Sequence, residues 1–255
     1  MTSLETSPVA IINAEAVSDF VLICEHAGNL IPGHLDNLGL DKDELTRHIA
    51  WDIGAEGVAR SMAELLQAPL IMQRYSRLVY DCNRPPSADD AMPARSELTD
   101  IPGNQNIITI DRDWRIRKIY QPFENTITSR IDTLLKAGRK PTIVTVHTFT
   151  PVYKGKQRTL DLGLLFNQDD QLAQAMLRQS SLLPDYDIRL NQPYGPKDGV
   201  MHTVMQHAEP HGLPYVMIEI RNDHVSTKEK QQRWAHMLNE MIQQATQTLK
   251  ITSNR

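Results

Sequence analysis

The chain predicts an α/β fold, a three-layer sandwich around a largely parallel, mixed central sheet, and three runs of residues carry that expectation. Phe20-Val21-Leu22-Ile23-Cys24, Thr142-Ile143-Val144-Thr145-Val146 and Tyr215-Val216-Met217-Ile218 are short, continuous and rich in aliphatic and β-branched side chains. Helical stretches separate them, and such runs read as strands buried on both faces of a sheet. Each run also leads into chemistry: Glu25-His26, His147 and Glu219 respectively. Open sheets of this kind place their ligand sites beyond the carboxyl ends of the strands, so two imidazoles and a carboxylate are expected to converge on one edge.

The remaining elements follow in order. Val9-Ala10-Ile11-Ile12 reads as an arm or edge strand ahead of the first core strand. After His26, Ala27 to Gly33 is turn chemistry, and Asp41-Lys42-Asp43-Glu44 predicts a helix start with acidic residues in its first turn. Ile53, Val58, Met62, Leu65 and Leu66 recur at helical spacing between Asp52 and Gln67. Pro69 to Met72 and Leu78-Val79-Tyr80 read as two short strands, the second running into Asp81-Cys82-Asn83-Arg84. Residues 87–111, rich in Pro, Ser, Asp and Gly, predict a long active-site loop or lid. A helix is expected over Asp113 to Ala137, a strand within Leu160 to Phe166, a helix over Asp169 to Gln179, a weak strand over Tyr186 to Leu190, and a loop to Gly199. A short helix over Gly199 to His207 precedes the strand that leads to Glu219, and Trp234, Leu238, Met241, Ile242, Ala245 and Leu249 mark a final amphipathic helix.

Length and composition bound the function. The 255 residues suit one large α/β domain over 1–255, and 40% hydrophobic with 23% charged residues is ordinary globular composition. A net charge of -4 with dispersed Lys and Arg offers no electrostatic footprint for nucleic acid or an anionic membrane. The two cysteines, Cys24 and Cys82, form no zinc-knuckle or disulfide spacing and read as reduced thiols. With no secretory pattern at the start and no bilayer-length apolar stretch, the expectation is a soluble, cytoplasmic protein, monomeric or weakly homo-oligomeric, acting on a small molecule.

A catalytic zinc takes about three protein ligands and leaves a position for water. His26 and His147 are the first two candidates, both leaving a sheet edge into a turn. The third is expected to be a carboxylate: Asp52 at the mouth of the following helix, with Glu25 and Glu56 as alternatives. Glu219, behind an apolar strand, is the candidate proton shuttle, its pKa raised by that environment. Arg77, Arg84 and Arg221 near strand ends are candidates to pair with a substrate carboxylate, with Asn83 adding a hydrogen bond. No Gly-x-Ser-x-Gly elbow, His-Glu-x-x-His helix, P-loop or dinucleotide fingerprint is present, which lowers the serine-hydrolase and nucleotide-binding readings.

Five segments, from residue 20 to about 225, together resemble the N-formylglutamate amidohydrolase family. They are Cys24-Glu25-His26-Ala27-Gly28-Asn29, Ala50-Trp51-Asp52-Ile53-Gly54-Ala55, Ser76 to Pro85, Val146-His147-Thr148-Phe149 and Ile218-Glu219-Ile220-Arg221. The resemblance implies a phosphorylase/hydrolase-like fold, related in architecture to zinc carboxypeptidases and acylamino-acid deacylases. It implies one zinc ion per chain on His26, Asp52 and His147, Glu219 as acid and base, and Ser76 to Arg84 facing a substrate such as an N-acyl amino acid. Two other expectations stand beside it: the same chemistry on a peptidoglycan-derived or other acylated peptide, and a metal-free protein that binds an acidic metabolite.

Overall fold

The computed structural model describes residues 4–253, with side chains to Lys250. Eleven strands occur among them: β1 (Val9–Ile12), β2 (Phe20–Cys24), β3 (Leu70–Gln73), β4 (Arg95–Ser96), β5 (Thr99–Asp100), β6 (Thr142–Phe149), β7 (Val152–Tyr153), β8 (Lys156–Gln157), β9 (Leu162–Leu165), β10 (Ile188–Leu190) and β11 (Tyr215–Arg221). The six α-helices are α1 (Ala55–Leu65), α2 (Thr109–Arg115), α3 (Gln121–Lys136), α4 (Gln171–Leu177), α5 (His202–His207) and α6 (Lys228–Ser253).

Seven strands form one mixed sheet in the order β1-β3-β2-β6-β11-β9-β10. β3, β2, β6 and β11 are mutually parallel, β1 is antiparallel to β3, and the parallel pair β9-β10 runs against β11. β4 with β5, and β7 with β8, are separate small hairpins.

Because successive strand residues point to opposite faces, a strand covered on both sides must be apolar throughout. β2 shows this: Leu22 belongs to the core shared with α1, α4 and α6, while Val21 and Ile23 belong to the core on the α3 side. In α3, Phe123, Ile127, Ile131 and Leu134 are all buried at helical spacing, and in α6 Trp234, Leu238, Met241, Ile242 and Ala245 are buried. The chain thus has helices on both faces of a mostly parallel sheet, the α/β architecture expected. No described helix is long and apolar enough to cross a membrane.

Three expectations need correction. The helix expected from Asp41 is a single 3-10 turn, Glu44–Thr46, and the Asp41 and Glu44 side chains cap each other's backbone N–H groups instead of opening a longer helix. Leu78-Val79-Tyr80 is a buried turn, not a strand. Its polar groups are satisfied individually: Ser76 Oγ accepts from Leu78 N, Asn104 Nδ2 donates to Leu78 O, and Arg115 Nη1 donates to Val79 O. Local side-chain partners here replace a ladder, so apolar composition alone misled. The helix expected from Asp113 begins earlier, at Thr109, and contains a π-helical turn over Ile116–Tyr120. Pro122, just beyond, has no N–H for the carbonyl four residues back, which a widened turn accommodates.

Candidate metal centre

Parallel β2, β6 and β11 bring their carboxyl ends to one edge of the sheet. β2 stops at Cys24, and Glu25-His26 turn out of it. That turn is held by a close crossing of Gly28 over Arg74, where an added Cβ would lie 2.1 Å from the Arg74 carbonyl oxygen. β6 continues past the expected end to Phe149, so His147 lies inside the strand and Glu219 of β11 stands directly opposite it. Asp52 precedes α1; its N–H donates to His26 O at 3.0 Å and its carbonyl accepts from Ala55 N at 3.1 Å. Gly54 makes the turn between them at φ 83°, a left-handed conformation that favours glycine.

These constraints put His26, Asp52 and His147 together, buried, with one potential ligand atom each within 4.8 Å of the others. His147 Nδ1 is 2.9 Å from Asp52 Oδ2 and 3.2 Å from His26 Nδ1, and His26 Nδ1 is 3.3 Å from Asp52 Oδ2. Ligands about 2.0–2.1 Å from a tetrahedral ion are separated by about 3.3 Å, so the three edges fit such an ion.

The far nitrogens fit as well. His26 Nε2 meets Asp81 Oδ1 at 2.7 Å, and His147 Nε2 makes an ion-pair contact with Glu25 Oε2 at 3.1 Å. Asp81, hydrogen-bonded behind His26, holds the proton on that distal nitrogen and turns the near lone pair inward, as second-shell acids do at metal sites, and the buried Glu25 charge favours the same arrangement at His147. Two inward Nδ1 lone pairs facing a carboxylate repel one another unless a proton or a cation lies between them.

Charge points the same way. Burial alone raises Asp52, Asp81 and Glu25, but the neighbouring imidazoles, and Arg77 beside Asp81, hold all three below the usual carboxylate range. Three ionised carboxylates against the single Arg77 guanidinium leave two negative charges when both imidazoles are neutral, which suits a divalent cation. Without one, burial and Arg77 depress His26 but Asp81 and Asp52 raise it overall, and Glu25 and Asp52 raise His147 well above its ordinary value despite burial. Protons then substitute for the cation.

Glu219 behaves differently. Burial, with the Asp52 charge adding, pushes its carboxyl up to about 7, and its Oε2 has no hydrogen-bond partner. It shares with the triad a cavity of about 290 Å³, also lined by Arg77, Asn83, Arg84, His48, Glu97 and Tyr194. That size takes a small ligand rather than a large one.

The other candidates separate. Glu56 is ion-paired to Arg60 one helical turn along α1 and does not join the cluster. Glu25 meets His147 at its Nε2, not at the Nδ1 that faces Asp52. Arg77 spans Asp52 (3.4 Å) and Asp81 (2.7 Å), leaving its side chain 30% exposed. Arg84 spends all three nitrogens, on Asp90, Gly199 O and Asp198 O. Asn83 donates to Val200 O and accepts from Thr203 N and Oγ1. Arg221 is drawn aside to Asp161, Asp223 and the carbonyls of Thr159 and Leu160, and does not line the cavity. Of the loop expected as a lid, Ser96 and Glu97 reach the cavity, and Glu97 ties the β4–β5 hairpin to Arg47, His48 and Lys154 N. Asp81 was not singled out as an imidazole partner from sequence; its signal is the Arg77-x-x-x-Asp81 spacing, which lets one residue pair with the other.

The geometry meets a family model at this point. The model described as N-formylglutamate amidohydrolase matches residues 18–226, the span that contains every residue of the centre. The chain belongs to the N-formylglutamate amidohydrolase family. A crystal structure of a gene product from Agrobacterium tumefaciens shares 45% identity with a TM-score of 0.94, covering 96% of this chain and 97% of that one. The N-formylglutamate amidohydrolase of Ralstonia eutropha has the same fold, with a TM-score of 0.62 at 14% identity over 96% of this chain and 99% of that one. No curated protein matches the chain. Family membership makes this chain a hydrolase of the amidohydrolase type, with a buried His-Asp-His group consistent with a metal site.

Proposed function

We propose that the chain is a zinc-dependent amidohydrolase that cleaves the linear amide of an N-acyl amino acid, N-formylglutamate being the family's own example. The observation that carries this reading is the meeting of two carboxylate-backed imidazoles and Asp52 beside a protonatable Glu219. His26, Asp52 and His147 would hold the ion, which when bound makes water acidic enough to serve as nucleophile and polarises the acyl carbonyl.

The chain's own residues account for the remainder. Glu219 takes a proton from the attacking water as that oxygen bonds to the acyl carbon. It returns the proton to nitrogen as the C–N bond breaks, yielding a carboxylic acid and an amine. Burial holds the Glu219 carboxyl above the ordinary carboxylate range, which favours its keeping the proton between the two transfers. Asp81 and Glu25 fix the two imidazoles, and Arg77 is the cavity arginine best placed to meet a substrate carboxylate, because Arg84 is fully engaged.

The test is hydrolysis of a panel of N-formyl, N-acetyl and longer N-acyl amino acids, alongside acylated peptides, with metal content measured on the same protein. Release of amine from an acyl amino acid by zinc-loaded protein supports the reading. Preferred cleavage of peptides moves the substrate, and tight binding of an acidic ligand by protein that carries no metal and hydrolyses nothing replaces the enzyme with a binding protein.

A further inference from the structure

The ion would polarise the acyl carbonyl, but the family reading names no protein group that shares the negative charge developing on the acyl oxygen. Amide hydrolysis needs a donor aimed at that oxygen, and a preorganised one is worth much of the barrier. The other charged or chargeable groups around the cavity have other partners: Arg77, which pairs with Asp52 and Asp81, is the group assigned to the substrate carboxylate, Arg84 is held by Asp90 and two carbonyls, and His48, whose pKa burial lowers, lies 3.2 Å from Glu97. Thr148 and Thr150 donate their hydroxyls to Ile53 O and Val152 O.

Tyr194 stands apart from these. It lines the same cavity as Glu219 and the triad, from the loop between β10 and α5. Its hydroxyl accepts a hydrogen bond from Arg158 Nη1 at 3.1 Å, and among the described residues it donates none. The Arg158 guanidinium is fixed by three rings, 4.5 Å from the Tyr153 centroid, 4.9 Å from Tyr194 and 5.6 Å from Phe149. A phenol that accepts from a guanidinium is a stronger donor through its own hydrogen. Burial, and next the Glu219 charge, raise the phenol's pKa, so it keeps that hydrogen while lying within reach of the Glu219 field.

Asn83 and Arg84 then acquire a role. They grip the far end of the same loop, at Val200, Gly199 and Asp198, so the segment resembling a substrate-binding motif acts here by holding the strap that carries Tyr194.

We propose that Tyr194 is a catalytic residue, donating its phenolic hydrogen to the oxygen of the tetrahedral adduct, and that Arg158 is its positioning residue. This rests on the amidohydrolase reading. As water's oxygen bonds to the acyl carbon, the carbonyl π pair moves to oxygen and is met by the Tyr194 O–H. The hydrogen bond relaxes when the pair returns and the C–N bond breaks.

Tyr194→Phe, Arg158→Met and their double variant test it in zinc-loaded protein. The readouts are steady-state kinetics on N-acyl amino acids and calorimetric binding of a phosphonate analogue of the tetrahedral adduct. Tyr194→Phe is expected to lower kcat about a hundredfold with KM nearly unchanged. It should weaken the phosphonate at least tenfold while leaving the amino-acid product's affinity and the zinc content unchanged. Arg158→Met should lower kcat without moving KM and add little in the Tyr194→Phe background. Equal phosphonate affinity in wild type and Tyr194→Phe overturns the proposal. If wild-type protein binds phosphonate yet hydrolyses no acyl amino acid, the functional reading fails and the affinity ratio alone decides Tyr194; if it does not bind phosphonate, both fail.

Discussion

His147 and Glu219 lie directly opposite one another on the adjacent parallel strands β6 and β11, so one pleat presents a candidate ligand and a proton carrier side by side. The register cannot slip by one residue without turning one of the two side chains to the opposite face. Glu219 therefore needs no metal bond to stay near the reacting atoms.

Glu219→Gln keeps the shape and removes the titratable group. It is expected to retain the metal while lowering kcat by about two to four orders of magnitude, measured as amine release. The metal-free protein adds a second readout. Glu219 has its folded pKa raised from 4.5 to about 7, so the folded state binds the proton more tightly than the unfolded one. Metal-free wild type should lose stability as pH rises from about 4.5 through about 7, and Glu219→Gln should be relieved of that loss. Denaturant midpoints at pH 5 and pH 8 check it; equal slopes in both proteins contradict the assignment.

Metal affinity should rise with pH. His26 and His147 are held above their ordinary value in the metal-free state, and ligation requires them neutral, so binding releases protons. Competition with a chelator of known proton dependence between pH 6 and 8 measures this. A pH-independent affinity would remove the two imidazoles as the ligands.

Asp81→Asn and Glu25→Gln test the outer carboxylates. Each leaves the proposed ligands in place but loosens the tautomer of one imidazole, and a 10- to 100-fold fall in zinc affinity is expected, of the order usual for such partners. Asp81→Asn also deprives Arg77 of its 2.7 Å partner, so it should have the larger effect on activity.

Much of this site was legible in the sequence because strand topology converts position in an apolar run into position in space. His26, His147 and Glu219 sit at or near the ends of three such runs, and Asp52 heads the helix after the first. What the runs cannot encode is what a long side chain does next. Arg221 shares a face with Glu219 on β11, yet Asp223 two residues on and Asp161 across the sheet capture its guanidinium. Glu25 and Glu56 both offered a ligand by spacing; in the structure Glu25 meets the Nε2 of His147, and Arg60 pairs with Glu56. Leu78-Val79-Tyr80 has strand composition but lies where Asn104 and the buried Arg115 reach its carbonyls, contacts 26 and 36 residues away in sequence. Tyr194 carries no local signal at all, since a loop tyrosine becomes notable only through Arg158 and the cavity.

Arg115 offers a test of that buried turn. Among the described residues its guanidinium hydrogen-bonds to neutral acceptors, Val79 O, Gly103 O and Asn104 Oδ1, and burial brings its pKa down to about 10. Arg115→Met should strand those acceptors and lower unfolding free energy by about 1–3 kcal/mol, with zinc binding retained. An unchanged denaturant midpoint would show that the turn holds without it.

The most direct measurement is an anomalous-scattering map of zinc-loaded crystals at the zinc edge. The account predicts one peak per chain, bonded to the Nδ1 atoms of His26 and His147 and to Asp52, with Asp81 and Glu25 still on the distal nitrogens. A peak bonded through Nε2 of either histidine, or bound elsewhere with the triad unchanged, would contradict it.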